Sequence, residues 1–180
     1  MISLTLARKY ARAFLEIGLQ EGNYETLGKD LQKMADVLRE NKELRAVLIS
    51  AAYPAVTRKA IAKTVGESIG LSKSTIDFVD ILIERDRMDH FPEIAKSYEG
   101  LCDVVAKRIR ATLVTAVALA PELISEIRSQ LESKTGKEVI LSVEEDPCLI
   151  GGAQTRIGNV LYDGSLKTQL AMVKENLYKE

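Results

Sequence analysis

The apolar residues of this chain change period once, near residue 107, and that change limits the possible folds more than any other feature. Up to Ala106 they recur at steps of three and four, the spacing of one helix face. Tyr24, Leu27, Leu31, Met34 and Leu38 show it best, with Glu, Lys and Asp between them. A first helix over 5–21 precedes this one, and Leu44, Val47 and Leu48 carry a third. Pro54 interrupts, and Ala60, Ile61, Val65 and Ile69 mark a fourth that stops at Gly70. Ser72 or Ser74 caps a fifth helix running to about Arg85. Asp89 caps a sixth with Pro92 in its first turn, continuing through Ile94, Tyr98, Leu101, Cys102 and Val105. Residues 1–106 therefore read as an all-α bundle of six helices.

After Lys107 the pattern becomes that of a small α+β unit, 107–180. Arg110–Leu119 is rich in Thr, Val and Ala and reads as a largely buried strand. Pro121 opens a helix with Leu123, Ile124, Ile127 and Leu131 on one face and Gly136 as its stop. Val139, Leu141 and Val143 alternate along a second strand, and Asp146-Pro147 turns the chain. Leu149–Ile157 and Val160–Tyr162 flank Gly158-Asn159 as a hairpin. Gly164-Ser165 caps a last helix whose apolar stripe is Leu166, Leu170, Val173 and Leu177.

The side chains needed for catalysis are scarce. One His rules out a metal site built on two or more histidines, and two Cys cannot form a four-thiolate site. Thr135-Gly136-Lys137 lacks the preceding glycine of a phosphate-cradling loop. Gly151-Gly152 with Gly158 sits in a hairpin, so it is no dinucleotide fingerprint and reads as close backbone approach or a bulge. No G-x-S-x-G elbow accompanies His90, which reads as a contact at a helix start. Cys102 reads as a small core residue and Cys148 as exposed in a turn. No cofactor and no metal is expected. Lys and Arg total 25 against 26 Asp and Glu, so broad attraction to nucleic acid is excluded. The N-terminal 19 residues contain Arg8, Lys9, Arg12 and Glu16, which no signal-peptide core tolerates. The longest uncharged runs are far below the ~20 residues of a membrane span, so no direct membrane insertion is expected. A cytoplasmic protein with reduced thiols is expected, reaching a membrane only through a partner.

Two helices carry more apolar surface than a bundle needs. The first confines its polar residues to a stripe of Arg8/Lys9, Arg12, Glu16 and Gln20. Leu6, Tyr10, Ala13, Phe14 and Ile17 flank it on one side, and Ala7, Ala11, Leu15 and Leu19 on the other. The fifth has a polar line of Asp77, Asp80 and Glu84, the rest being Ile76, Phe78, Val79, Ile81, Leu82 and Ile83. Such a helix is either central in the bundle or borders a groove that accepts another helix. Small residues suit close approach of a partner, and Ala13 and Gly18 fit that need.

The opening Leu6-Ala7-Arg8-Lys9-Tyr10-Ala11-Arg12-Ala13-Phe14 resembles an A-x-x-Y-A-x-A-[LF] motif. Asp146-Pro147-Cys148-Leu149-Ile150-Gly151-Gly152, then Arg156-Ile157-Gly158-Asn159-Val160-Leu161-Tyr162-Asp163-Gly164-Ser165, is similar to D-P-x-L-I-G-G…I-G-[DN]-x-x-x-D-[GA]-S. Gly136-Lys137-Glu138-Val139 matches a G-K-x-V step into a strand. Both ends and the length resemble the delta subunit of bacterial F-type ATP synthase, the homologue of the mitochondrial oligomycin-sensitivity-conferring protein. One departure stands out. Many family members carry a glycine before the arginine after the fifth helix, where this chain has Arg85-Asp86-Arg87-Met88.

The resemblance implies a non-catalytic stator subunit. It would link the F1 catalytic head to the peripheral stalk and resist rotor torque during proton-driven ATP synthesis. It implies that the bundle binds the amphipathic N-terminal helix of an alpha subunit between the first and fifth helices. Carried over by position, Tyr10, Ala13, Phe14 and Ile17 face Phe78, Ile81 and Leu82 across that groove. It implies that the C-terminal domain contacts the b subunits of the peripheral stalk. The protein would then lie at the cytoplasmic face of the bacterial inner membrane, held there through the complex. A small helical adaptor or regulatory protein unconnected with the synthase is the alternative from another class; an enzyme comes third.

Overall fold

The computed structural model describes residues 2–158 and 160–177, apart from the side chains of 2, 3, 171–173 and 175–177. Val173, Leu177 and Asn159, named above, fall wholly or by side chain outside that description. The chain divides into two compact units, Met1–Cys102 and Asp103–Glu180. The division falls four residues before the change of period, inside the last turns of the sixth helix.

The first unit is helical, as its periodicity requires. It comprises α1 (Ile2–Glu21), α2 (Tyr24–Glu40), α3 (Lys42–Ile49), α4 (Ala55–Ser68), α5 (Lys73–Glu84) and α6 (Phe91–Val105), whose last turns pass into the second unit. Most of each stripe read from the sequence turns inward, while Ala60 of α4 and Val105 of α6 stay exposed. Leu27, Leu31, Met34 and Leu38 of α2 meet Phe14, Phe78, Leu82, Phe91, Ile94 and Tyr98 in one core. Asn41 caps α3 by accepting the Leu44 N–H at 3.0 Å. Ser72 caps α5 by accepting from Thr75 N–H at 3.4 Å, which settles the choice between Ser72 and Ser74. Ahead of α6 the chain makes a 3-10 turn, Met88–His90. Asp89 therefore lies inside that turn and does not cap α6.

Two buried polar side chains hold the ends of these helices. Asp30 of α2 is 3% exposed. It accepts the Ser72 N–H at 2.8 Å and the Thr75 hydroxyl at 3.3 Å, which ties α2 to the start of α5. Arg58 of α4 is 4% exposed. It donates to the carbonyls of Tyr53 and Leu48 and pairs with Asp86 at 2.8 Å. Burial of a charge is tolerated because its donors are taken up.

The second unit is a mixed four-stranded sheet with two helices. Its elements are β1 (Arg108–Thr115), α7 (Pro121–Thr135), β2 (Glu138–Glu145), β3 (Ala153–Ile157), β4 (Val160–Asp163) and α8 (Leu166–Leu177). The strand order is β2-β1-β3-β4. β1 and β2 are parallel and joined through α7; the other neighbours are antiparallel. Ala111, Leu113, Val139 and Leu149 form its small core. Gly136 stops α7 at φ 65, in the left-handed region open to glycine. Ile157 pairs with Val160 across the antiparallel β3–β4 pair, and Gly158 has φ 57.

Three expectations need correction here. β1 ends at Thr115 and not at Leu119, because both flanking partners, Glu145 and Ala153, end their pairing at that residue. Val117 beyond it is 67% exposed. β3 starts at Ala153 and not at Leu149, since Pro147–Leu149 winds into a 3-10 turn capped by Asp146, which accepts the Cys148 N–H at 2.9 Å. The apolar face of α7 is only half covered: Ile124, Ile127 and Leu131 are intermediate and Leu123 is exposed.

Candidate binding surfaces

α1 is not a central helix. Ala7, Ala11, Phe14, Leu15 and Gly18 are buried, while Arg8, Lys9, Arg12, Ala13, Glu16 and Ile17 are exposed. It packs beside α5 in the opposite direction. Phe14 stacks on Phe78 with ring centroids 4.2 Å apart, and Glu21 at the end of α1 accepts from Ser74 at the start of α5. Tyr98 closes on Phe14 from α6 at 5.4 Å.

Burial splits the seven expected groove residues into two sets. Phe14, Phe78 and Leu82 lie in the bundle core at 1%, 6% and 0% exposure. This corrects their place, because their apolar surface already serves the chain's own packing. Ala13, Ile17 and Ile81 stay exposed and Tyr10 is half-buried. On their own helices Tyr10 and Ile17 lie four residues before and three after Phe14, and Ile81 three after Phe78, the two stacked rings. Gly18 is also corrected. A Cβ there would lie 2.9 Å from the Tyr24 Cα and 3.0 Å from the Tyr98 hydroxyl, so its small size serves internal packing.

The polar line of α5 faces α4. Lys59 of α4 pairs with Glu84, and this pairing holds the Glu84 carboxyl below its ordinary range. Burial raises the Asp80 carboxyl, with Lys59 opposing it. Neither group lies in a reactive cluster. His90 sits 3.4 Å from Asp89 in the 3-10 turn. Among the described residues, no three His, Cys, Asp or Glu side chains gather as a metal site would need. Cys102 is half-buried against the core and Cys148 exposed, both as expected.

The C-terminal motif residues converge in space. Gly151 and Gly152 lie directly under the start of α8. The Leu166 N–H donates to the Gly151 carbonyl at 3.0 Å. A Cβ on Gly152, at φ 78, would come 2.5 Å from the Gly164 carbonyl oxygen. Gly164 in turn donates its N–H to the Ala153 carbonyl at 3.0 Å. Asp163 caps this junction by accepting from Ser165 N–H, the Thr168 hydroxyl and Gln154. The Ser165 N–H first, then the hydroxyl of Thr168, draws its carboxyl from 3.8 down to about 2. Asp146, Pro147, Leu149, Gly151, Gly152, Asp163, Gly164 and Ser165 thus build a folded junction, and Gly158 makes the hairpin turn.

Sequence reasoning missed Asp30 and Arg58. Nothing in the local pattern singles out either charge, and only contacts 5 to 45 residues away reveal them. It also missed the exposure of β4, where Val160, Leu161 and Tyr162 are 52%, 50% and 60% exposed. Among the described residues, no helix is long and apolar enough to cross a membrane.

Comparison with known proteins gives one family throughout. The family described as ATP synthase delta (OSCP) subunit matches residues 6–177. The "ATP synthase subunit delta" of Geotalea uraniireducens is 36% identical over 179 residues, covering 99% of each chain. That of Desulfatibacillum aliphaticivorans is 37% identical over 177 residues, covering 98% of this chain and 97% of the relative. A chain in the cryo-EM structure of the Toxoplasma gondii mitochondrial ATP synthase hexamer shares the fold. Its TM-score is 0.69 at 19% identity, covering 96% of this chain and 97% of that one. The fold, the motif junction and these matches agree: the chain belongs to the ATP synthase delta (OSCP) subunit family.

Proposed function

We propose that this chain is a non-catalytic stator subunit of an F-type ATP synthase, with its partners inside that complex. It links the F1 head to the peripheral stalk and resists rotor torque during proton-driven ATP synthesis. The observation that carries this is the family match across residues 6–177. The finer assignment follows the two units. The bundle receives the N-terminal helix of an alpha subunit on the outer α1–α5 seam, where Tyr10, Ala13, Ile17 and Ile81 offer apolar surface. The second unit contacts the b subunits, and the protein sits at the cytoplasmic face of the bacterial inner membrane through these contacts. A free helical adaptor would share the seam but gives no reason for a family match of this extent.

Such a joint needs slow dissociation under repeated load. Off-rate is governed by well-packed apolar anchors more than by charge steering. A synthetic alpha N-terminal helix titrated onto the chain tests the seam. Ala13→Asp places a charge there and is expected to weaken binding at least ~100-fold with helicity retained. Unchanged affinity in the folded variant would sink the assignment.

A further inference from the structure

The polar line of α5 holds one carboxylate that its surroundings do not satisfy. Asp80 is half-buried, and its Oδ1 is shut off from solvent with no hydrogen-bond partner among the described residues. Such orphaned atoms are few in a folded chain, and an ionised one costs stability.

The packing of α4 on α5 accounts for the burial. A Cβ on Gly66 of α4 would lie 3.2 Å from the Ile76 Cγ1 of α5, so the two helices approach closely there. Towards the other end of α5, Glu84 pairs with Lys59 of α4. These two contacts set the helices antiparallel and bring Asp80 level with Ala62 and Lys63. Ala62 is buried and brings no polar group.

The cations of α4 are all drawn elsewhere. Lys59 goes to Glu84, Lys63 to Glu67 at 3.9 Å, and Arg58 to Asp86. On its own helix Asp80 stands three residues after Asp77 and four before Glu84, like charges at a spacing where they repel. Burial, the largest influence, raises the Asp80 carboxyl above its ordinary 3.8. Asp77 and Glu84 add to the rise, and Lys59 and Lys63 oppose it.

We propose that Asp80 is a proton-uptake site of the bundle: acidification neutralises its carboxylate and makes the α4–α5 contact more stable. A proton from solvent forms an O–H bond at the carboxylate. The cost of holding a charge out of water ends, and so does the repulsion from Asp77 and Glu84. The neutral carboxyl also has a hydrogen to donate where the ionised one had none. A folded value above the unfolded one gives stability that is full below 3.8 and lost as pH rises through the folded value. Asp163 works in the opposite sense, since its ionised form is the stabilising one. The proton site belongs to the bundle and holds with or without the stator assignment.

Thermal unfolding of the full-length chain, followed through its helical circular dichroism signal, tests this at about pH 8 and about pH 4. Asp80→Asn keeps the shape and a similar helix propensity but carries no charge. It is expected to raise Tm by about 2 °C or more at the higher pH, a gain that shrinks to less than half at the lower. A Tm equal to or below the parent's at the higher pH overturns the proton site, since the ionised carboxylate would then cost nothing. A gain that stays level with pH overturns it too, because protonation would then play no part. Carbon-13 NMR titration of the Asp80 carboxyl in the parent chain needs no substitution. A midpoint above 3.8 is expected, and one at or below 3.8 contradicts the proposal.

Discussion

Asp86 stands at a position whose backbone suits glycine, and the structure gives the reason it can. Its φ is 51, in the left-handed region. Its carboxylate reaches the buried guanidinium of Arg58 at 2.8 Å. The ion pair offsets a backbone cost of about 1–2 kcal/mol. Glycine would relieve the strain and lose the pair, so Asp86→Gly is expected to leave stability within about 0.5 kcal/mol of the parent. Alanine loses the pair and keeps the strain, so Asp86→Ala is expected to cost about 2 kcal/mol. Urea unfolding of the two variants separates them. Asp163 offers a second test at this scale. Its carboxyl titrates near 2 when folded and 3.8 when unfolded. A depressed folded value stabilises above the unfolded value and is lost as pH falls between them. The second unit should therefore weaken from about pH 4 to pH 2, and Asp163→Asn should flatten that part of an acid titration followed by circular dichroism.

At the scale of elements, α1 and α5 have two unlike faces. Their inner faces complete the core through the Phe14–Phe78 stack, and their outer seam keeps Ala13, Ile17 and Ile81 exposed. Substitutions should divide accordingly. Phe14→Ala removes a buried ring and is expected to cost about 3–5 kcal/mol in stability, read by denaturant unfolding. Ile81→Asp should leave unfolding nearly unchanged yet weaken binding of the alpha helix at least ~100-fold, read by calorimetry. The helices were legible in the sequence because each buries one stripe at helical spacing. The surplus stripes on α1 and α5 were legible for the same reason. Which residue of the surplus turns inward was not, because Phe14 and Ile17 share a face until α5 and α6 close over Phe14 alone. The ends of β1 and β3 depend on where neighbouring strands stop, and Asp30 and Arg58 on partners far along the chain. None of these leaves a local pattern.

At the scale of the whole molecule, scarcity of reactive side chains fits the proposed role. A stator joint works by holding two partners on separate surfaces, and the proposed function assigns one to each unit. The first presents the α1–α5 seam. In the second, the start of α8 rests on a junction where a Cβ on Gly152 would come 2.5 Å from the Gly164 carbonyl oxygen. The motif residues were legible as a family signature, but their physical task, clamping the start of α8 onto the β3 lead-in, needed the fold. The proposal that one chain joins head to stalk is tested most directly by co-sedimentation. The F1 head stripped of this subunit is mixed with the soluble b dimer, with and without the chain. The expected result is that b sediments with the head only when the chain is present. If b stays behind in its presence, or travels with the head in its absence, the linking role is contradicted.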